Sequence, residues 1–126
     1  MYQRQLSFGE AVTKALTVNY CNFEGRASRS EYWWFFLFNF IAGLVIGAAF
    51  FWSETIEYLV SGLFSLAMIL PGLGLSVRRL HDTGRSGWWI LINFIPLVGQ
   101  LIYLYFMVQP SQNVPNKWGG VPNLVA

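Results

Sequence analysis

Leu75-Ser76-Val77-Arg78-Arg79-Leu80-His81-Asp82-Thr83-Gly84-Arg85-Ser86-Gly87-Trp88-Trp89 gathers three arginines, the only histidine and the only aspartate of the chain around one short polar loop. Its meaning comes from what flanks it. Residues 32–52, 58–77 and 87–108 contain no Lys, Arg, Asp or Glu, and each window has the roughly 20 residues that a helix needs to cross a hydrocarbon core. With 55% hydrophobic and only 11% charged residues in 126, the chain departs from a soluble domain, in which about 25% are charged. So little polar surface cannot wrap three apolar helices in water, and the loop is therefore read as lying at a membrane surface, where guanidinium groups meet phosphates and indoles sit among headgroups.

The expected fold is an all-α membrane protein, an N-terminal amphipathic helix followed by three transmembrane helices. It forms one domain, 1–126. Residues 1–27 make a cytoplasmic helix and loop, 28–52, 58–77 and 87–108 the spans, and 109–126 a tail. The first helix, over 6–18, carries a modest apolar stripe and is too short and polar to span. The first twenty residues lack an apolar core and carry Arg4, Glu10 and Lys14, so no secretory signal peptide is expected and the first span serves as an uncleaved anchor. Ser28 and Glu31 have the Ser-x-x-Glu spacing of a capping box that starts this span.

Within the spans, Asn39, Gly43 and Gly47 share a face, and the glycines are expected to pack within the monomer. Ser61, Ser65, Met68, Gly72 and Ser76 form a small, polar arc on the second, which Pro71 is expected to kink. Asn93 and Gln100 of the third are expected to turn toward Asn39 or the serines, because an amide in hydrocarbon needs a partner. Pro96 and Gly99 mark where this last segment would break. A broken segment would bring the tail back to the cytoplasm.

Arg4, Lys14, Arg26 and Arg29 precede the first span, Arg78, Arg79 and Arg85 join the second to the third, and Ser53-Glu54-Thr55-Ile56-Glu57 has no basic residue. The positive-inside rule then predicts a multi-pass protein with its N-terminus and arginine loop in the cytoplasm and, with three spans, a periplasmic C-terminus. Trp33, Trp34, Trp88 and Trp89 are the inner interface anchors, and Trp52, Tyr58, Tyr103 and Tyr105 are assigned to the outer belt.

One cysteine and one histidine allow no intrachain disulfide and no metal set of the usual spacing, and no cofactor is expected. A formal charge of +2 spread beside spans does not suit nucleic acid. The candidate site is the polar cluster Arg26, Arg29, Arg78, Arg79, His81, Asp82 and Arg85. Asp82 either pairs along its own helix with Arg78, four residues before it, or turns inward to a backbone N–H or an arginine of the Gly25-to-Glu31 block and pins the two segments together. Its expected partners are anionic lipid headgroups, with a homo-oligomer or another membrane protein as further partners. The leading function is non-enzymatic, with no catalytic residue assigned: the arginine and tryptophan face binds anionic lipid or a partner protein. A second reading is an oligomeric small-solute transporter or channel subunit built on the Asn39, Asn93 and Gln100 seam. A third is a lipid-headgroup enzyme using His81, for which the sequence offers neither a second base nor an activated nucleophile.

Two blocks carry a family resemblance: Phe23-Glu24-Gly25-Arg26-Ala27-Ser28-Arg29-Ser30-Glu31-Tyr32-Trp33-Trp34-Phe35 and the Leu75-to-Trp89 stretch. Together they resemble DUF805, a family of small bacterial inner-membrane proteins of the YhaH and YhaI type. Asn116-Lys117-Trp118-Gly119 adds a weaker match near the end. The resemblance implies a bacterial inner-membrane location and says nothing of activity, and no catalytic residue is carried over from it.

Overall fold

The computed structural model describes residues 2–125. Two long helices, a broken hairpin and a returning tail make up the architecture. Helix α1 runs Phe8–Leu16, α2 Arg29–Ala49 and α3 Glu54–Asp82; a 3₁₀ helix Gly87–Phe94 and α4 Val98–Val108 follow. Two-residue strands β1 (Tyr2–Gln3) and β2 (Leu124–Val125) pair antiparallel.

Helix α1 starts at Ser7, whose side chain accepts from the Glu10 N–H while the Glu10 carboxylate accepts from the Ser7 N–H, each at 3.3 Å. This is a complete capping box. Ala11 and Ala15 are its buried residues, and the helix lies against α2. At Ser28 only half of the expected box forms: Ser28 Oγ accepts from the Glu31 N–H at 3.4 Å, but the Glu31 carboxylate faces Lys14, Arg78 and Asn123.

At 1.5 Å per residue, the 21 residues of α2 extend about 31 Å, the thickness of a hydrocarbon core. Helix α3, with 29 residues, is about 43 Å long. Both are long and apolar enough to cross a membrane, and their outward faces carry exposed Phe40, Leu44, Leu59, Leu63 and Leu66. Helix α3 outruns its apolar window and carries Arg78, Arg79, His81 and Asp82 on its last turns.

Pro71 does not interrupt α3. A proline leaves the carbonyl four residues earlier without its helical donor, and here the Tyr20 hydroxyl donates to the Ala67 carbonyl at 2.6 Å. One turn further on, a Cβ at Gly74 would lie 2.6 Å from the Asn22 carbonyl oxygen. Glycine there lets the 19–27 loop lie directly on the helix. Gly43 has no such neighbour: a Cβ would meet nothing within 4 Å, so the expected intramolecular packing at that residue is absent.

The largest departure from expectation is the third apolar window. Instead of one helix it folds back on itself, and the physical cause is Pro96. The residue before a proline is driven out of the helical region, and Ile95 sits at φ −88°, ψ 113°. Leu97 follows at φ 61°, ψ −64°, with the Val98 N–H donating to the Pro96 carbonyl at 2.7 Å, the geometry of a γ-turn. Gly99 lets the arms meet, since a Cβ there would lie 1.9 Å from the Ile92 carbonyl oxygen. Gln100 Nε2 donates across the hairpin to the Asn93 carbonyl at 2.6 Å, and Asn93 Nδ2 donates to the Ile90 carbonyl at 3.0 Å. Neither amide reaches Asn39 or the serines; Asn39 Nδ2 donates to its own helix, at the Phe35 carbonyl. Each arm is about 16 Å long, half a bilayer core.

The tail therefore does not leave at the far end of the molecule. It returns to the N-terminal end, where the Arg4 N–H donates to the Asn123 carbonyl at 2.8 Å beside the β1–β2 pair. With the termini side by side, the expected periplasmic exit of the C-terminus opposite a cytoplasmic N-terminus is corrected. Tyr103, assigned to the outer belt, instead donates to Ser76 Oγ at 2.9 Å and lies against Tyr32.

Candidate functional site

The end of α3 is the polar centre of the structure. Its last turns are held against the loop before α2 by the Ala27 N–H, which donates to the Arg78 carbonyl at 3.0 Å. Asp82 is fully buried between two guanidinium groups, with Arg26 Nε at 3.0 Å from Oδ1 and Arg79 Nη1 at 2.7 Å from Oδ2. Ser111 Oγ also donates to Oδ2. The inward reading of Asp82 is the one the fold adopts, and its helical partner is Arg79 rather than Arg78.

Both arginines spend their remaining donors on backbone. Arg26 donates to the carbonyls of Gln112 at 2.7 Å, Val114 at 2.9 Å and Gly119 at 3.2 Å. Arg79 donates to those of Met107, Ala27 and Gln109. A guanidinium has five N–H donors in a planar fork, and here that fork gathers the tail around Asp82. Arg78 turns to the other side of α3. Its Nε donates to the Asn22 carbonyl at 3.0 Å and its Nη1 lies 3.6 Å from Glu31, while Nη2 is buried without a partner among the described residues. Glu31 also receives Lys14 at 3.4 Å and Asn123 at 2.9 Å.

His81 Nδ1 donates to the Gly25 carbonyl at 3.0 Å; because a carbonyl accepts only, Nδ1 carries the proton. Its ring stacks on Trp118 with centroids 4.6 Å apart and planes 5° apart, and Lys117 Nζ lies 4.5 Å from the Trp118 ring. Asn116 Nδ2 donates to the His81 carbonyl at 2.9 Å.

Of the sequence-predicted cluster, Arg26, Arg78, Arg79, His81 and Asp82 come together as a buried clasp. Arg29 and Arg85 do not join it. Arg29 is exposed, with one bond to the Val108 carbonyl, and Arg85 lies over the Phe106 ring at 4.1 Å. The indoles of Trp33 and Trp34 donate inward to the Met107 and Leu6 carbonyls, whereas Trp88 and Trp89 are exposed. Arg29 is exposed and Arg85 half-buried, whereas Arg79 and Asp82 are fully buried. The sequence gives no site signal for the tail residues Ser111, Gln112 and Asn123, which join Asn116 and Trp118 here. Of the tail, only the Asn116-to-Gly119 block carries one.

Outside the clasp, Arg4 pairs with both Glu10 oxygens at 3.0 and 2.8 Å. Those bonds, with the Ser7 N–H, hold the Glu10 carboxyl down at about 2.

An apolar exterior around two long helices, closed at one end by a buried ion cluster, defines a small helical protein of membrane type. Residues 20–120 match the family described as protein of unknown function, DUF805, and the chain belongs to that family. The inner membrane protein YhaI of Escherichia coli (strain K12) is 44% identical over 82% of this chain and 88% of its own length. The inner membrane protein YhaH of the same organism is 38% identical over 84% and 91%, and the uncharacterized protein YiiR is 27% identical over 59% and 50%. No solved structure matches.

Proposed function

We propose that this chain is a non-enzymatic integral protein of the bacterial inner membrane, with both termini and the clasp in the cytoplasm, and that its arginine and tryptophan face binds anionic lipid. The observation that carries this reading is the separation of charge. All eight Lys and Arg residues belong to the segments gathered at the clasp end, together with four of the six acids; the remaining two, Glu54 and Glu57, sit at the opposite turn. Cationic ends stay in the cytoplasm during insertion, and anionic headgroups attract basic residues by about 1 kcal/mol each near the surface. In this reading the headgroups meet Arg29 and Arg85, the two arginines of the cluster outside the clasp, and the exposed Trp88 and Trp89. The names of YhaI and YhaH and the apolar outer faces of α2 and α3 support the location.

Two measurements test it. The exposed Cys21, and separately a cysteine added after Ala126 in a Cys21→Ser background, should react with an impermeant maleimide only after cells are opened; labelling of either in intact spheroplasts refutes the orientation. Native mass spectrometry from nanodiscs of mixed phosphatidylglycerol and phosphatidylcholine should show phosphatidylglycerol retained on the wild type and released from Arg29→Gln with Arg85→Gln. Equal retention refutes the lipid face.

A further inference from the structure

A groove with a volume of about 460 Å³ runs between α3 and the 3₁₀ helix, with Phe23, Leu73, Val77, Trp88 and Leu91 along it and His81 and Ser86 on its lining. The volume lies in the range of small-ligand sites, about 300–1,000 Å³. From Leu73 to His81 the helix rises about 12 Å, from the apolar window to the polar clasp. The groove is therefore apolar for most of its length and polar at one end.

The polar end has two unused groups. His81 is only 7% exposed, and its Nδ1 is committed to Gly25. That fixes the protonation of the neutral ring: the proton is on Nδ1, and Nε2 is left as a lone-pair acceptor. Nε2 makes no hydrogen bond to the described residues. Ser86 Oγ accepts from the Trp88 N–H at 3.3 Å, and its hydroxyl proton has no acceptor among the described residues. Neither atom is sealed in: the side-chain atom buried without a partner among the described residues is Arg78 Nη2, so the His81 acceptor and the Ser86 donor keep access from the groove that both residues line.

We infer that this groove binds a membrane lipid with a free hydroxyl headgroup, of the acylglycerol class, its chain lying along Leu73, Val77 and Leu91 and its hydroxyl donating to His81 Nε2 while accepting from Ser86. An alcohol is the headgroup that gives and takes one hydrogen bond at a single atom. A carboxylate or phosphate finds no guanidinium or ammonium group on this lining, and an ester offers no donor to Nε2. The acyl chain has a source, since Leu73 and Trp88 are exposed on the apolar exterior. The surrounding contacts, Trp118 on the imidazole face and Asn116 on the His81 carbonyl, hold the ring in place.

The test uses full-length protein in phosphatidylethanolamine nanodiscs and a monoacylglycerol carrying a diazirine near the end of its chain, compared with the methyl ester of the same acyl chain. The monoacylglycerol should label peptides containing Leu73 to Val77 and Trp88 to Leu91, about tenfold more than the ester, the factor expected for one to two hydrogen bonds. His81→Phe, which keeps a ring against Trp118, should reduce its labelling to the level of the ester. Leu73→Trp, which fills the groove and leaves the clasp untouched, should remove labelling by both. Equal labelling by the two probes in the wild type, or labelling that survives Leu73→Trp, overturns the inference even if His81→Phe fails to fold.

Discussion

Replacing Asp82 by Asn removes one negative charge from the centre of the clasp while keeping its shape. Asp82 and Arg79 are both fully buried and Arg26 is 8% exposed, with ion pairs at 3.0 and 2.7 Å. Taking away one partner of a buried pair costs about 3–5 kcal/mol, mostly because the charge left behind remains dry. Two guanidinium groups lose their counterion here, but each keeps bonds to backbone carbonyls, so the loss is not doubled and about 3–5 kcal/mol is the expected total. By comparison, Ser111→Ala removes one neutral donor to the same carboxylate and the acceptor of Gln3 Nε2, and should cost about 2 kcal/mol. Unfolding titrations in mixed micelles would measure both, and trypsin cleavage after Arg26 and Arg79 would report whether the clasp opens. Adding Arg79→Met to Asp82→Asn should recover part of the loss, because one stranded cation is removed with its partner. An Asp82→Asn protein within about 1 kcal/mol of wild type, still closed to trypsin, would refute the assignment of the cluster as the structural centre.

Gly74→Ala should destabilise by about 1–3 kcal/mol in the same titration, since the added methyl meets the Asn22 backbone and not a movable side chain; a neutral effect would mean that the loop does not rest on α3. Leu97→Gly should be neutral or stabilising by up to about 1 kcal/mol, because Leu97 holds a positive φ that glycine adopts freely, and a clear loss of stability would count against the γ-turn. The Glu10 carboxyl is depressed from 4.5 to about 2 by Arg4 and the Ser7 cap. Its contribution is therefore complete above the ordinary carboxylate range and fades as pH falls toward 2. Amide protection at the start of α1, taken relative to the intrinsic exchange rate at each pH, should fall over that window in wild type and stay constant in Glu10→Gln, and a transition near neutral pH would contradict the pairing.

Much of the architecture is legible in the sequence because charge is the scarcest commodity in this chain. The uncharged windows set α2 and the apolar length of α3, and Ser28 marks the start of α2. The density of ionisable residues around His81 locates the clasp. What the windows do not reveal is direction. A run from 87 to 108 without charge reads as a span by length, and only the local effect of Pro96 on Ile95 turns it into a hairpin. That turn then carries the tail to the other end of the molecule, so one backbone preference decides the position of the described tail, residues 109–125. The choice of Arg79 over Arg78 as the partner of Asp82 has the same origin. Adjacent arginines on a helix differ by about 100° in direction, and which one faces the tail depends on where the tail lies. The capping box at Ser7 was open to reading from Ser7-Phe8-Gly9-Glu10, by the spacing that was applied at Ser28.

Arg26 is separated by 86, 88 and 93 residues from the carbonyls of Gln112, Val114 and Gly119 that satisfy it. On the ribosome it is therefore made long before its partners, and it must wait in water while the helices are inserted. During that interval its charge is fully hydrated. Only after the last segment emerges does the guanidinium become dry and neutralised. The same side chain is thus a hydrated surface charge while the protein is being made and a piece of the core once it is finished, and a nascent chain halted before residue 109 has the first state without the second.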